Sequence, residues 1–345
     1  MSPQHQPDSS TNGRDAGSGQ LISIVTAAFN EADNIGLLYE RVRTVLEAAG
    51  ELFELIVVDD GSSDKTAQVL WALHRDDRRV KAIRLTRNFG HQTALTAGLR
   101  AAQGDAVITM DADLQHPPEL IPVLLSSWRS GFDIVYAVRE STGDERRLKR
   151  LSSALFYWLM NLLSDVAIPR SAADFRLTSR RCVDILNAMP EQARLIRGLV
   201  HWTGLPSTTV DYCEQRRHSG ATKYTWARMF NLFLDSITAF STFPLRVASV
   251  VGFSCASFAI VYGVVALMAR VFFPQFTYEG WTSVIVSVLF LGGLQLMALG
   301  VIGEYIGRIY LEARGRPAYL VLERIGFENE PSPLQSSARV TESIR

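Results

Sequence analysis

The sequence predicts an α/β domain on a mostly parallel sheet, followed by two membrane-length helices. Three observations predict it. From Leu21 to about Arg139 short β-rich runs alternate with longer amphipathic stretches; two runs end in paired carboxylates; and two late segments, Val247 to Ala269 and Thr282 to Gly303, carry no charged side chain.

Residues 1–20 are rich in Ser, Gly, Gln and Asp and lack an apolar run, which predicts a disordered tail rather than a signal peptide. The chain is therefore expected to begin in the cytoplasm. The β-rich runs are LISIVTA at 21, LFELIVVDD at 52, VKAIRL at 80, DAVITMDAD at 105 and DIVYAVR at 133, separated by helical spacing in Asn34 to Ala49 and Thr66 to Arg75. Such alternation predicts a Rossmann-like sheet with helices on both faces. Near-continuous apolar strands ending in Asp59 and Asp60, and in Asp111 and Asp113, place carboxylates at the carboxyl edge, where open α/β sheets bind ligands.

Two interrupted apolar stretches follow, 146–163 opening with Arg and Lys and 224–240 mixing aromatic with charged residues, and both suit helices lying in the headgroup plane. Amphipathic helices packed on the core are the alternative. The two uncharged segments are each long enough to cross a core of roughly 30 Å at about 1.5 Å per residue. Between them FFPQFTYEGW has no basic residue, whereas Arg246 precedes the first segment and Arg308, Arg314 and Arg316 follow the second. That bias predicts a hairpin with both flanks cytoplasmic, Arg270 snorkelling outward at the far side.

Lys plus Arg (35) equals Asp plus Glu (35), so no global field points to nucleic acid. Cys182, Cys213 and Cys255 are far apart and lack metal-ligand spacing, which suits buried thiols in a reducing compartment.

The most specific chemical element is MDADLQHPPE at 110–119. Asp111 and Asp113 at a strand end, with the Gln115 amide, present oxygen ligands to a hard divalent cation that also grips a diphosphate, and Pro117 and Pro118 halt the strand. In VVDDGSSDKT at 57–66 the acids Asp59 and Asp60 are placed to accept from a base or ribose. Ser62, Ser63 and Asp64 read as turn and cap chemistry. No GxGxxG accompanies these strands, which disfavours a dehydrogenase-type dinucleotide fold.

Taken together, SIVTAAFNEADNI, VVDDGSSDKT, RNFGHQTALTAGL, MDADLQHPPE, ADFRLTSRR and RRHSGATKY resemble the family 2 glycosyltransferases with the GT-A fold, from Leu21 to about Leu322. The likeness is closer to the polyprenyl-phosphate branch, such as the bactoprenol glucosyltransferases and dolichol-phosphate mannose synthase. It implies a cytoplasmic GT-A catalytic domain at 21–223, an interfacial helix at 224–244, two transmembrane helices within 245–310 (about 247–269 and 282–303) and a cytoplasmic tail at 311–345.

The resemblance implies that Glu31 and Asp60 contact the nucleoside, that Asp111 sits by the ribose and diphosphate, and that Asp113 with Gln115 holds Mg²⁺ or Mn²⁺. Asp174 falls where the family has a catalytic carboxylate near the acceptor. Arg217, Thr222 and Lys223 match a basic loop that meets phosphates, and Arg139, Arg147 and Arg150 are candidates for the lipid phosphate. Ala27 and Phe29 stand where the family usually has Pro and Tyr, so a hydroxyl contact at position 29 is lost.

The implied reaction is inverting transfer of a hexose, with UDP-glucose as the nearest donor, to polyprenyl (undecaprenyl) phosphate at the cytoplasmic membrane face. Mannose, galactose, an N-acetylhexosamine or an aminopentose remain open as donor sugars. Compatible partners are a second copy of the chain and a flippase or downstream glycosyltransferase, within a plasma membrane location. A processive synthase would need more spans and a QxxRW motif, and the chain has neither. A non-catalytic sugar-nucleotide sensor is disfavoured by the complete set of acids and the basic loop.

Overall fold

A computed structural model describes residues 19–139, 172–191, 194–212, 243–272 and 280–327. These divide into two compact units, one holding the described residues up to 212 and from 317 onward, the other holding 243–272 and 280–316.

The first unit begins with alternation as expected: β1 (Leu21–Ala28), α1 (Ala32–Ala48), β2 (Leu52–Asp59), α2 (Thr66–Asp76), β3 (Val80–Leu85), α3 (His91–Ala101) and β4 (Ala106–Asp111). A 3₁₀ turn at Pro118–Leu120 leads into α4 (Ile121–Arg129) and β5 (Ile134–Arg139), and then come β6 (Ala172–Ser179), α5 (Arg180–Ala188), α6 (Ile196–Trp202) and β7 (Ser207–Tyr212). The second unit consists of α7 (Phe243–Phe272) and α8 (Trp281–Ala313), after which β8 (Val321–Ile325) returns to the first.

All eight strands form one sheet in the order β7-β5-β6-β4-β1-β2-β3-β8. It is mixed rather than mostly parallel. Strands β4, β1, β2 and β3 are parallel, but β6 runs against β4 and β5, and β8 against β3. Residues from 311 onward are also more than the expected tail. Arg84 Nη1 binds Glu323 Oε2 at 3.0 Å, Thr86 N donates to Leu320 O at 3.0 Å, and the open edge of β3 supplies the rest of the pairing.

The pleat sorts side chains between two faces. Ile22, Ile24, Leu55, Val57, Ile108 and Met110 face one way and form the core with residues of α1, α2 and α4. Val25, Ile56 and Val58 face the other way, toward α3. There Gly98 lets helix and sheet approach closely, since a Cβ on it would fall 2.4 Å from Val25 Cγ1. By register, Thr109 and Asp111 share this second face, and so do Arg176, paired with Thr109, and Asp174 two residues earlier. Because β5 and β4 both oppose β6, their carboxyl ends share an edge, and this puts Arg139, Asp111 and the start of β6 together there.

In the second unit α7 and α8 each contain a candidate membrane span, Val247–Val265 and Val286–Ala313. Their apolar side chains lack protein cover among the described residues: Phe253, Phe258 and Leu296 are 77, 73 and 71% exposed. A surface of that kind suits lipid. The expected interfacial helices at 146–163 and 224–240 lie outside the described residues.

Gly61 sets the approach of the β2–α2 loop to the β3–α3 loop. Its φ is +72°, and a Cβ would lie 2.4 Å from the carbonyl carbon of Arg87 and 2.7 Å from Asn88 N. Backbone cannot yield as a flexible side chain can. Gly61→Ala is therefore expected to destabilise the fold by at least about 1–2 kcal/mol, the strain of a left-handed non-glycine residue alone. Denaturant unfolding in detergent measures this, and an unchanged midpoint contradicts the close contact.

Candidate active site

The loops at the carboxyl edge are tied together by their own polar groups. Asn30, in the left-handed conformation at φ 59°, donates its N–H to Ser62 Oγ at 2.9 Å and accepts from Ser63 N at 2.9 Å. Thr66 Oγ1 accepts from Glu31 N at 3.1 Å, and the Asp64 carboxylate accepts from Thr66 N at 3.0 Å and Ala32 N at 3.3 Å. Burial would raise the pKa of Asp64, but these bonds outweigh it and hold the carboxyl below its ordinary value. Ser62, Ser63 and Asp64 thus perform the expected turn chemistry.

Asp59 and Asp60 close the same junction from below. Asp59, 1% exposed, accepts from Ser62 N at 2.9 Å and lies 3.4 Å from Arg84 Nε. Asp60, 3% exposed, accepts from Phe89 N at 2.7 Å and Gly90 N at 2.9 Å, the residues that lead into α3. Burial pushes the Asp60 carboxyl up from its usual range despite these two amide bonds. Both acids meet donors of their own chain.

Asp174 anchors the centre. Arg197 grips it with two bonds, Nε to Oδ1 at 2.9 Å and Nη2 to Oδ2 at 2.7 Å, and Arg176 Nη2 reaches Oδ1 at 3.0 Å. From the start of α3, Gln92 Nε2 lies 3.3 Å and His91 Nε2 3.4 Å from Oδ2. Burial favours protonation of Asp174, but the His91 and Arg197 hydrogen bonds and the Arg176 charge win, holding its carboxyl well below the usual carboxylate range. Asp174 is thus a fixed anion and a poor base.

Arg176 is fully buried, and burial presses its pKa down while Asp174 opposes the shift. A guanidinium stays charged even so. Its Nε and Nη1, and the hydroxyl of the paired Tyr136, have no hydrogen-bond partner among the described residues. Burial pushes the Tyr136 hydroxyl up to about 12.

Asp111 stands beside this cluster with a third of its side chain exposed. His91 Nε2 lies 3.4 Å from Oδ1, and His116 Nε2 3.7 Å from Oδ2. Although burial lowers the pKa of His91, its bond to Asp174 and the Asp111 charge raise it above the ordinary imidazole value. His116 accepts from Asp111 N through Nδ1 at 3.0 Å, so its neutral ring carries the proton on Nε2, toward Asp111. The ring stacks on Phe175 at 5.0 Å and meets Tyr212 edge-on at 6.1 Å, which fixes the loop after β4. In that loop Leu114 takes φ +64°, a strained conformation for a leucine, and Asp113 Oδ1 accepts from Gln115 N at 3.1 Å.

Among the other predicted residues, Ala27 lies inside β1 next to Asp111 in register, Phe29 is 46% exposed just beyond it, and Glu31 accepts from Asn34 Nδ2 at 2.6 Å. Arg139 is exposed at the end of β5. Arg147, Arg150, Arg217, Thr222 and Lys223 lie outside the described residues. Sequence reasoning missed His91, Gln92, His116, Arg176 and Arg197. The first four sit inside quoted motifs, but only Arg176, a charge between Phe175 and Leu177, carried a local signal, and nothing local marks Arg197.

The glycosyl transferase family 2 model matches residues 23–184. An uncharacterized glycosyltransferase of Bacillus subtilis is 42% identical over 308 residues, 89% of this chain and 95% of its own. A prophage bactoprenol glucosyl transferase homolog of Escherichia coli is 41% identical over 300 residues, 87% of this chain and 98% of its own. The bactoprenol glucosyl transferase of Shigella phage SfX is 41% identical over 303 residues, 88% of this chain and 99% of its own.

The geometry gives Asp174 a structural share, as the counter-ion of Arg176 and Arg197. Asp174→Asn leaves the buried Arg176 without its counter-ion, and about 3 kcal/mol of stability should be lost. A carboxylate serving chemistry alone would show a change under about 0.5 kcal/mol on denaturant unfolding.

Proposed function

The chain belongs to glycosyl transferase family 2, and we propose that this glycosyltransferase moves a hexose from a nucleoside diphosphate sugar to polyprenyl phosphate, with inversion, at the cytoplasmic membrane face. The observation that carries the reading is Asp111, a partly exposed carboxylate at the carboxyl edge beside an Asp174 already neutralised by two arginines. Relatives named bactoprenol glucosyl transferases, matched over nearly their whole length, favour a bactoprenol acceptor and glucose as the sugar, and UDP-glucose is the donor taken here. Two long apolar helices favour a site held at a membrane.

Asp111, Asp113 and Gln115 offer the hard oxygen donors that fit Mg²⁺ or Mn²⁺. His91, Asp111 and Asp174 also bring ligand atoms within 4.8 Å of one another. A dication sharing Asp174 with two guanidinium groups would meet repulsion, so the loop after β4 is the better holder. When bound there, the cation supplies Lewis-acid stabilisation of the departing diphosphate.

The remaining residues bind and orient. The exposed Phe29 ring stacks on the base beside Glu31, Ala27 leaves room next to Asp111, and Asp59 and Asp60 act through the loops they hold. Arg217, Thr222 and Lys223 contact phosphate of the donor or acceptor, and Arg139, Arg147 and Arg150 receive the lipid phosphate. With a second pKa of about 6 the acceptor phosphate is already largely anionic at neutral pH, so positioning matters more than proton removal. Asp174, held as a weak base, suits that division of labour.

Sealed inside-out membrane vesicles containing the chain, given labelled UDP-glucose and undecaprenyl phosphate, should form lipid-linked glucose, whereas right-side-out vesicles should not. A panel of other labelled nucleotide sugars tests the hexose. Asp111→Asn should lower kcat/KM by about 10²–10³, roughly 2.7–4 kcal/mol of transition-state stabilisation, with little change in melting. Donor hydrolysis without lipid product would contradict the reading.

A further inference from the structure

A second concave site lies away from the carboxyl edge. Around the amino end of β3, α2, the end of α3 and β8 enclose a cavity of about 1070 Å³, the size of a small-molecule pocket. Its position follows from topology: Lys81 is the second residue of β3, Gln103 precedes β4, and Phe327 follows the antiparallel β8.

Four cationic side chains line it, Arg78, Lys81, Arg100 and Arg324, and no Asp or Glu does. The nearby acid is Glu54, 3% exposed and fully engaged: it accepts from Ser23 Oγ at 2.5 Å, Gln103 N at 2.8 Å and Lys81 Nζ at 2.8 Å. Glu54 therefore balances Lys81 and nothing more. Arg78 Nη1 lies 2.9 Å from His74 Nε2, while His74 Nδ1 donates to Val80 O at 2.7 Å, so the imidazole accepts as a neutral ring and adds no negative charge. Arg100 lies 5.9 Å from the Tyr319 ring centroid, and its charge adds to burial in lowering the pKa of Arg194. Among the described residues neither Arg78 nor Arg100 has an ion-pair partner.

Cations gathered on a concave wall repel one another, and an anion seated among them relieves that repulsion with charge-assisted bonds from planar guanidinium groups. The Tyr319 and Phe327 rings add apolar wall, which suits a ligand with more than a bare phosphate. We propose that this cavity binds a phosphate-bearing ligand, either a soluble phosphorylated molecule or an anionic lipid headgroup, at a site separate from the transfer centre.

The test uses the full chain in phosphatidylcholine nanodiscs with EDTA present and inorganic pyrophosphate as probe, followed by calorimetric titration. Arg78→Gln with Arg100→Gln should raise the pyrophosphate Kd at least tenfold. Gln103→Glu, which adds a carboxylate to the lining and removes no arginine, should do the same. All three positions are exposed and outside the transfer machinery, so glucosyl transfer should persist in both variants. Replacing the nanodisc lipid with phosphatidylglycerol separates the sources: competition with pyrophosphate in the wild type but not the variants identifies a lipid headgroup, and its absence a soluble phosphate. Equal Kd values in the wild type and both variants, or no pyrophosphate binding by the wild type, would overturn the proposal.

Discussion

The buried carboxylate of Asp174, clamped by Arg176 and Arg197, is the interaction on which the carboxyl edge depends. It joins β6 to α6 through Arg197, to the start of α3 through His91 and Gln92, and through His91 to Asp111 on β4. Burying such ions costs several kcal/mol each before their attraction is counted, and an apolar replacement is often no less stable. A cluster of this kind is therefore better explained by the position it imposes than by stability it adds. Its place follows from the pleat, because register with Thr109 and Asp111 forces Asp174 and Arg176 onto the α3 face.

Around that anchor the loops divide the work. The β1, β2 and β3 loops are fixed by Asn30, Asp59, Asp60 and Asp64, leaving Phe29 outside the strand and partly exposed. The end of β4 carries the partly exposed Asp111, and the loop after it, where Asp113 is buried, is braced by His116 against Phe175. For a donor whose leaving group is a diphosphate, the demand is stabilisation of departing negative charge, which a cation held by this loop would answer. Asp174, with its basicity suppressed, answers a demand for orientation instead.

The first five strands were legible because each is a short run rich in Val, Ile, Leu and Ala, three of them, β2, β4 and β5, ending on a charged residue. Strand β8 was not. Only its two end residues, Val321 and Ile325, are buried, and it becomes a strand because β3 offers an open edge, a partner some 240 positions away in the chain. Asp111 and Asp113 stood out as carboxylates ending an apolar run. The companions of Asp174 did not, since Gln92, Arg176 and Arg197 come from three separate elements and converge only in the folded sheet. Asp59 and Asp60 show the reverse: their position at the edge was legible, but their attachment to the chain's own amides was not.

The proposed transfer relies on an acceptor already ionised and on a locked Asp174, not on a protein base. The pH profile of kcat/KM for the acceptor tests it most directly, measured once with polyprenyl phosphate and once with a phosphonate analogue of higher second pKa. The profile should rise through the acceptor's own ionisation, at about pH 6 for the phosphate, and move upward with the phosphonate. A profile that stays in place when the acceptor is exchanged would assign the ionisation to the protein and contradict it.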